Sequence, residues 1–246
     1  MELPAPILLQ TGGTKKEMLD WKAETNVLCS PEKRCVVLNL VLFGATGRVG
    51  GHILANALQD GHHVTALVRT LEKLVHHQNQ WDNLRVLPGN VLDFADVQRA
   101  VKGADAVIST LGTDGGTTLS DGIPHLVRAM EQEGVKRIIT VGTAGILQSR
   151  TSPELLRYQS SESKRKLTRA AEEHHKAYTL LAQTELDWTI VCPTYLPDGT
   201  LLGSYRVERD FLPVDGAEIS VPDTAAFTYS LLSSGEYIRS RVGIAY

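Results

Sequence analysis

Gly44, Gly47 and Gly50 stand directly behind the aliphatic run Val36 to Phe43, with Thr46, Arg48 and Val49 between them. Each glycine answers a separate demand of anion binding. Gly44 lets the chain turn sharply out of a strand, and Gly47 removes a side chain where backbone must approach a phosphate. Gly50 lets the following helix lie close to the sheet. The unpaired N–H groups and dipole of that helix's first turn then face a negative charge. Arg69 follows a second apolar run, His63 to Val68, at a place where an acidic residue would hold ribose hydroxyls. A guanidinium there favours a 2′-phosphate, and the next acid is Glu72. The pattern predicts a dinucleotide site whose cofactor is NADPH.

Such residues act together only on alternating strands and helices, and the sequence supplies the alternation. Val49, Ile53, Leu54, Ala57 and Leu58 share one helical face, and Gly61 stops that helix. Leu84 to Leu87 reads as a strand ending at Pro88-Gly89. Asp93 caps a helix carrying Val97, Ala100 and Val101, and Gly103 ends it. Ala106 to Leu111 is a fourth strand. A helix with Ile123, Leu126, Val127 and Met130 inward closes at Gly134. Val135 to Thr143 is a fifth strand, centred on Arg137 to Val141. A helix with Leu167, Ala171, Tyr178 and Leu181 near one face follows, and Trp188 to Val191 is a sixth strand stopped by Pro193. This order predicts an α/β chain: a single Rossmann-type domain with a parallel twisted sheet and helices on both faces.

Ligands of such sheets bind outside the carboxyl ends of the strands. The segments predicted to converge are Gly44 to Gly50, Arg69, Asn90-Val91, Leu111-Gly112-Thr113, Gly142-Thr143-Ala144 and Pro193-Thr194-Tyr195.

Composition narrows the function class. The chain has 246 residues, 42% of them hydrophobic, and a net charge of −3. That length supports one substantial domain, and the dispersed basic residues leave no footprint for nucleic acid or an anionic membrane. Cys29, Cys35 and Cys192 show no CxxC spacing, which argues against a disulfide scaffold or structural zinc and fits a reducing compartment. No run is long enough to span a membrane, and Pro6-Ile7-Leu8-Leu9 is too short for a signal-peptide core. A cytoplasmic monomer acting on a small molecule is expected. Residues 1–34 read as a loosely ordered arm with a short helix around Lys16 to Lys22; residues 35–246 form the domain, including a small C-terminal substrate-side region.

The motifs resemble those of the atypical short-chain dehydrogenase/reductases. Gly44-Ala45-Thr46-Gly47-Arg48-Val49-Gly50 is similar to their GATGxxG loop. Leu67-Val68-Arg69, Gly89 to Asp93, and Asp105 to Ile108 running into Leu111-Gly112-Thr113 follow the same pattern. Within that group the chain is most similar to the biliverdin-IXβ reductase/flavin reductase branch and its NmrA-like relatives. Leu186 to Pro193, Gly203 to Val207 and Ile219 to Ala225 extend the likeness over residues 36 to 246. The resemblance implies that the glycine loop with Thr46, Arg48 and Val49 holds pyrophosphate and that Arg69 holds the 2′-phosphate. Asn90-Val91 would frame adenine. Leu111-Gly112-Thr113 and Thr143 would line ribose and nicotinamide, with Pro193-Thr194-Tyr195 over the substrate. Asn90 stands where the family usually has Asp, and Thr143 keeps a hydroxyl where biliverdin reductase has Ser. Thr194 replaces a His, which favours flavin-like or quinone-like acceptors over biliverdin.

The Tyr-x-x-x-Lys pair of typical short-chain dehydrogenases is missing: Lys164 follows Tyr158 by six positions, and Tyr178 has no lysine at that spacing. A lysine one helical turn away would lower the tyrosine's pKa. Without it, Thr143, Tyr195 and Thr194 are the candidate catalytic residues. A planar acceptor that delocalises charge needs less acid help, because the cofactor supplies the hard chemistry. No metal site is expected: His174 and His175 point about 100° apart on a helix, and His62-His63 and His76-His77 read as surface or half-buried pairs. Cys192 reads as a small buried hydrophobe. An NADPH-dependent reductase of a flavin, tetrapyrrole or quinone leads. A dinucleotide-binding redox sensor of the NmrA-like type and an epimerase-like isomerase remain open.

Overall fold

The strand before the glycines is short and nearly all buried: β1 spans Asn39–Phe43, with only Asn39 outside the core. The computed structural model describes residues 36–74, 80–163 and 167–246. The arm and short helix expected around Lys16 to Lys22, together with His76-His77 and Lys164, fall outside the described residues.

After β1 come α1 (Arg48–Gln59), β2 (His63–Val68), β3 (Leu84–Pro88), α2 (Phe94–Val101), β4 (Ala106–Ser109) and α3 (Thr118–Glu133). They are followed by β5 (Arg137–Val141), α4 (Arg169–Ala182), β6 (Asp187–Pro193), β7 (Arg206–Arg209), α5 (Val221–Ser230) and β8 (Ser240–Ala245). One eight-stranded sheet has the order β3-β2-β1-β4-β5-β6-β8-β7. Its pairings are parallel except at the β7 edge, which is antiparallel to β8. The chain reverses its direction of sheet-building between β1 and β4, the place where such folds open a ligand crevice.

Both faces are covered, as parallel strands require. Val49, Ile53, Leu54 and Leu58 of α1 pack with Val221 and Ala225 of α5 on one face. Val97 of α2, Leu126 and Met130 of α3, and Ala177 and Leu181 of α4 cover the other. Local chemistry sets the boundaries. The Asp93 carboxylate accepts from the Ala95 and Asp96 amides at the start of α2, and Gly134 closes α3 in the left-handed region at φ 72°.

Three expectations need correction. The fourth strand ends at Ser109, not Leu111. Thr110 makes the last contact with β1, its amide donating to the Phe43 carbonyl at 2.9 Å, and its hydroxyl lies 3.2 and 3.1 Å from the Phe43 and Gly44 carbonyls. Leu167 precedes α4 and is 88% exposed; the inward positions of that helix are Glu173, Ala177 and Leu181. Glu173 escapes a hydrophobic-pattern reading because it is charged. Its burial is supported by donors from the Ser120 hydroxyl at 3.0 Å and Lys176 Nζ at 2.8 Å. Strands β7 and β8 complete the sheet where the sequence reading placed only a small C-terminal region. All of β8 is buried, including Arg241, whose guanidinium donates to the Ile146 carbonyl at 2.5 Å and lies 4.5 Å from the Tyr178 ring centroid. Among the described residues, no helix is long and apolar enough to cross a membrane.

Adjacent histidines on α4 have separate surroundings. His175 Nδ1 lies 3.0 Å from the Tyr158 hydroxyl. Burial pushes His174 down to about 4 against the opposing charge of Glu173. A histidine depressed below its unfolded value of 6.5 stabilises the fold above pH 6.5, and that contribution is lost as pH falls toward 4. The melting temperature should therefore fall between pH 6.5 and 4, and fall less in His174→Gln. A parallel decline in the variant would place the acid sensitivity elsewhere.

Candidate functional site

The glycine turn is built by contact rather than by looseness. Gly44 sits at φ 83°, and the Gly47 amide donates to its carbonyl at 2.9 Å. A Cβ on Gly50 would overlap the Gly44 carbonyl oxygen and stand 2.6 Å from the Thr110 hydroxyl. A Cβ on Gly47 would meet only that carbonyl, at 3.2 Å. Gly50 is therefore filled by protein, whereas Gly47 is exposed.

Helix α1 starts at this turn without a side-chain cap and without an acidic residue in its first turn. Its first amides and positive dipole end are thus left for an outside anion, which fits a pyrophosphate. Thr46 is half-buried beside the turn, and Arg48 is exposed. The Val49 side chain packs into the core, so it can offer only its amide.

The remaining predicted segments all leave parallel strands at the same edge of the sheet. Arg48 Nη1 reaches the chain after β6, donating to the Leu196 carbonyl at 3.0 Å and to Asp198 Oδ1 at 2.9 Å. Arg48 and Leu196 also line a pocket of about 310 Å³, together with Gly142, Thr143, Pro193, Thr194 and Tyr195. The Thr143 hydroxyl accepts from the Gly145 amide at 3.4 Å. Its proton is free to point outward. The Thr194 hydroxyl instead donates to the Ala217 carbonyl at 3.2 Å. Tyr195 is 59% exposed. Cys192 lies buried below, and burial pushes its thiol up to about 12, so it stays protonated.

Arg69, after β2, donates to Asp114 Oδ2 at 2.9 Å, and Asp114 belongs to the loop that begins Leu111-Gly112-Thr113. Leu111 is partly buried against the core, whereas Gly112 is exposed. Asn90 accepts from the Leu92 amide at 3.1 Å, which leaves its side-chain NH₂ outward. Val91 is buried against Gly122 and presents backbone only. Tyr158 does not line the pocket; burial first, then Glu172, raises its pKa above the usual phenol value.

Three groups escaped sequence reading: Asp114, Asp198 and Asp223. Asp223 is fully buried, and its carboxylate accepts from the Leu202 and Gly203 amides at 3.0 and 2.8 Å. It also accepts from the Ser220 hydroxyl at 2.9 Å and the Tyr246 hydroxyl at 2.6 Å. It ties the chain beyond the pocket to α5 and the C-terminus. The only sequence signal was its place in the first turn of a helix capped by Ser220. A second concavity, also about 310 Å³, lies at the opposite edge of the sheet near Asn39, His63 and Lys102, remote from the strand-end segments.

A family model described as NAD(P)H-binding matches residues 44–234. The chain is similar to the uncharacterised protein YwnB of Bacillus subtilis, 24% identical, across 81% of this chain and 93% of that one. A solved structure from Bacteroides thetaiotaomicron, provisionally assigned as an epimerase, is 30% identical with a TM-score of 0.74, covering 86% of this chain and 98% of that one. The anaerobillin reductase ChuY from Escherichia coli O157:H7 is 25% identical with a TM-score of 0.70, covering 84% and 96%.

Two consequences can be measured by denaturant unfolding. Gly50→Ala should cost about 3 kcal/mol by overpacking, while Gly47→Ala stays within about 1 kcal/mol. Equal losses would show that the turn can shift to admit a methyl group. Asp223→Ala should cost about 3 kcal/mol by leaving buried donors unpaired, and Tyr246→Phe about 1 kcal/mol. A silent Asp223→Ala would mean that water replaces the carboxylate.

Proposed function

Because the chain belongs to the NAD(P)H-binding family, in keeping with its likeness to atypical short-chain dehydrogenase/reductases, we propose that it is an NADPH-dependent reductase of a planar conjugated acceptor such as a flavin or quinone. The glycine turn, Thr46, Arg48 and the amide of Val49 hold pyrophosphate, and Arg69 holds the 2′-phosphate. Asn90 and the backbone of Val91 border adenine. Leu111, Gly112 and Thr113 border ribose, with Thr143 and Pro193 at the nicotinamide. When bound, the cofactor supplies a hydride.

The observation that carries the proposal is the make-up of the pocket lining. It offers hydroxyls, one guanidinium and the apolar surfaces of Pro193 and Leu196, and its residues include no carboxyl, imidazole or ammonium group. Thr194 has its proton turned toward a backbone carbonyl. Such a lining suits an acceptor that spreads incoming charge over a ring and takes its proton from solvent. Thr143 and Tyr195 then act by orienting that ring, which is worth rate because alignment lowers the barrier. Turnover of a simple ketone, which localises charge on one oxygen, is disfavoured. The likeness to the anaerobillin reductase supports a conjugated acceptor. Cys192, a buried protonated thiol, is compatible with a reducing, cytoplasmic setting.

The test is NADPH oxidation with flavin mononucleotide, biliverdin and quinones, each against a simple ketone. Oxidation with one of the planar acceptors is expected. Tight NADPH binding without turnover of any of them would overturn the reductase assignment in favour of a binding-only sensor. Thr143→Val and Tyr195→Phe should each slow reduction about five- to thirty-fold, the loss of about 1–2 kcal/mol of positioning. A thousandfold collapse in either, about 4 kcal/mol, would mark a true proton donor.

A further inference from the structure

The guanidinium assigned to the 2′-phosphate already has an anion. Arg69 Nη2 and Asp114 Oδ2 are 2.9 Å apart. Their loops follow β2 and β4, the strands on either side of β1. The ion pair therefore spans the carboxyl end of β1, from which the glycine turn departs. Asp114 makes the contact from a left-handed backbone, φ 49°, and Gly115 continues it at φ 69°. A non-glycine residue in that region is uncommon. The two side chains are 70% and 53% exposed, so the pair adds little to the stability of the fold.

We propose that Asp114 is a specificity residue of the cofactor site, a carboxylate that competes with the 2′-phosphate for Arg69. The inference rests on Arg69 being the phosphate partner. One fork of N–H donors faces two candidate anions. NADPH must displace the carboxylate and then sit beside the negative charge it displaced. NADH carries no charge at that position, so the ion pair can persist. The pair thus makes one site tolerant of both cofactors, with Arg69 favouring NADPH and Asp114 narrowing the preference.

Calorimetric titration of the full chain with NADPH and with NADH separates these contributions, using wild type, Asp114→Asn, Arg69→Ala and the double variant. Asparagine tolerates the left-handed backbone, so the loop keeps its shape. Asp114→Asn should tighten NADPH about two- to fivefold, a gain typical of releasing an exposed ion pair, and leave NADH unchanged. The gain should vanish without Arg69, and Arg69→Ala alone should weaken NADPH about ten- to a hundredfold with little effect on NADH. Asp114→Asn that leaves NADPH unchanged or weaker, tightens both cofactors alike, or still gains without Arg69 overturns the inference. If Arg69→Ala weakens both cofactors equally, or neither, the phosphate assignment itself fails and the inference falls with it. A loss confined to NADPH in Arg69→Ala, with Asp114→Asn silent, defeats this inference alone.

Discussion

The close approach of the Gly50 backbone to the Gly44 carbonyl, with the Thr110 hydroxyl packed against both, is the constraint on which the site depends. It draws the start of α1 onto the end of β1 and pins β4 beside it in one contact. A methyl group at Gly50 has no room, so the helix can lie this near the sheet only with glycine there. The loop that follows Thr110 meets the loop of β2 through Asp114 and Arg69. Close packing thus creates the anion-facing helix start, and the two loops meet beside it.

Side chains at that edge pair across loops rather than along them. Arg48 joins the glycine turn to the chain after β6, and Arg69 joins the loop of β2 to the loop of β4. Both ion pairs are largely exposed and therefore weak and exchangeable. Groups that a charged ligand would engage are held by contacts that such a ligand can replace.

The distal half of the molecule is ordered differently, by enclosed or part-buried charges that are hydrogen-bonded to backbone and side chains. Arg137 donates to the Asp187 carbonyl and the Thr189 hydroxyl at 2.7 Å each. Arg241 and Asp223 are similarly enclosed. Each would be costly if left unpaired, so each forces a particular arrangement of backbone around it. Asp223 holds the Leu202 and Gly203 amides of the chain that continues from the pocket.

Alternation of strand and helix, the helix caps at Asp93 and Gly134, and the separate duties of Gly44 and Gly50 were legible in the sequence. All depend on interactions within a few residues, or on periodicities that local backbone geometry imposes. The strand-end segments were legible too, since a parallel sheet places them at one edge. Strands β7 and β8 were not, because a serine, an arginine and a glycine interrupt the apolar run of β8 and its burial needs partners supplied by distant chain. The inward turn of Glu173, the pairing of Arg69 with a carboxylate 45 residues away and that of Arg48 with one 150 residues away were likewise hidden. Those contacts follow from the order in which strands sit side by side. That order is set by the packing of the whole sheet between its helices, and no local stretch of sequence specifies it.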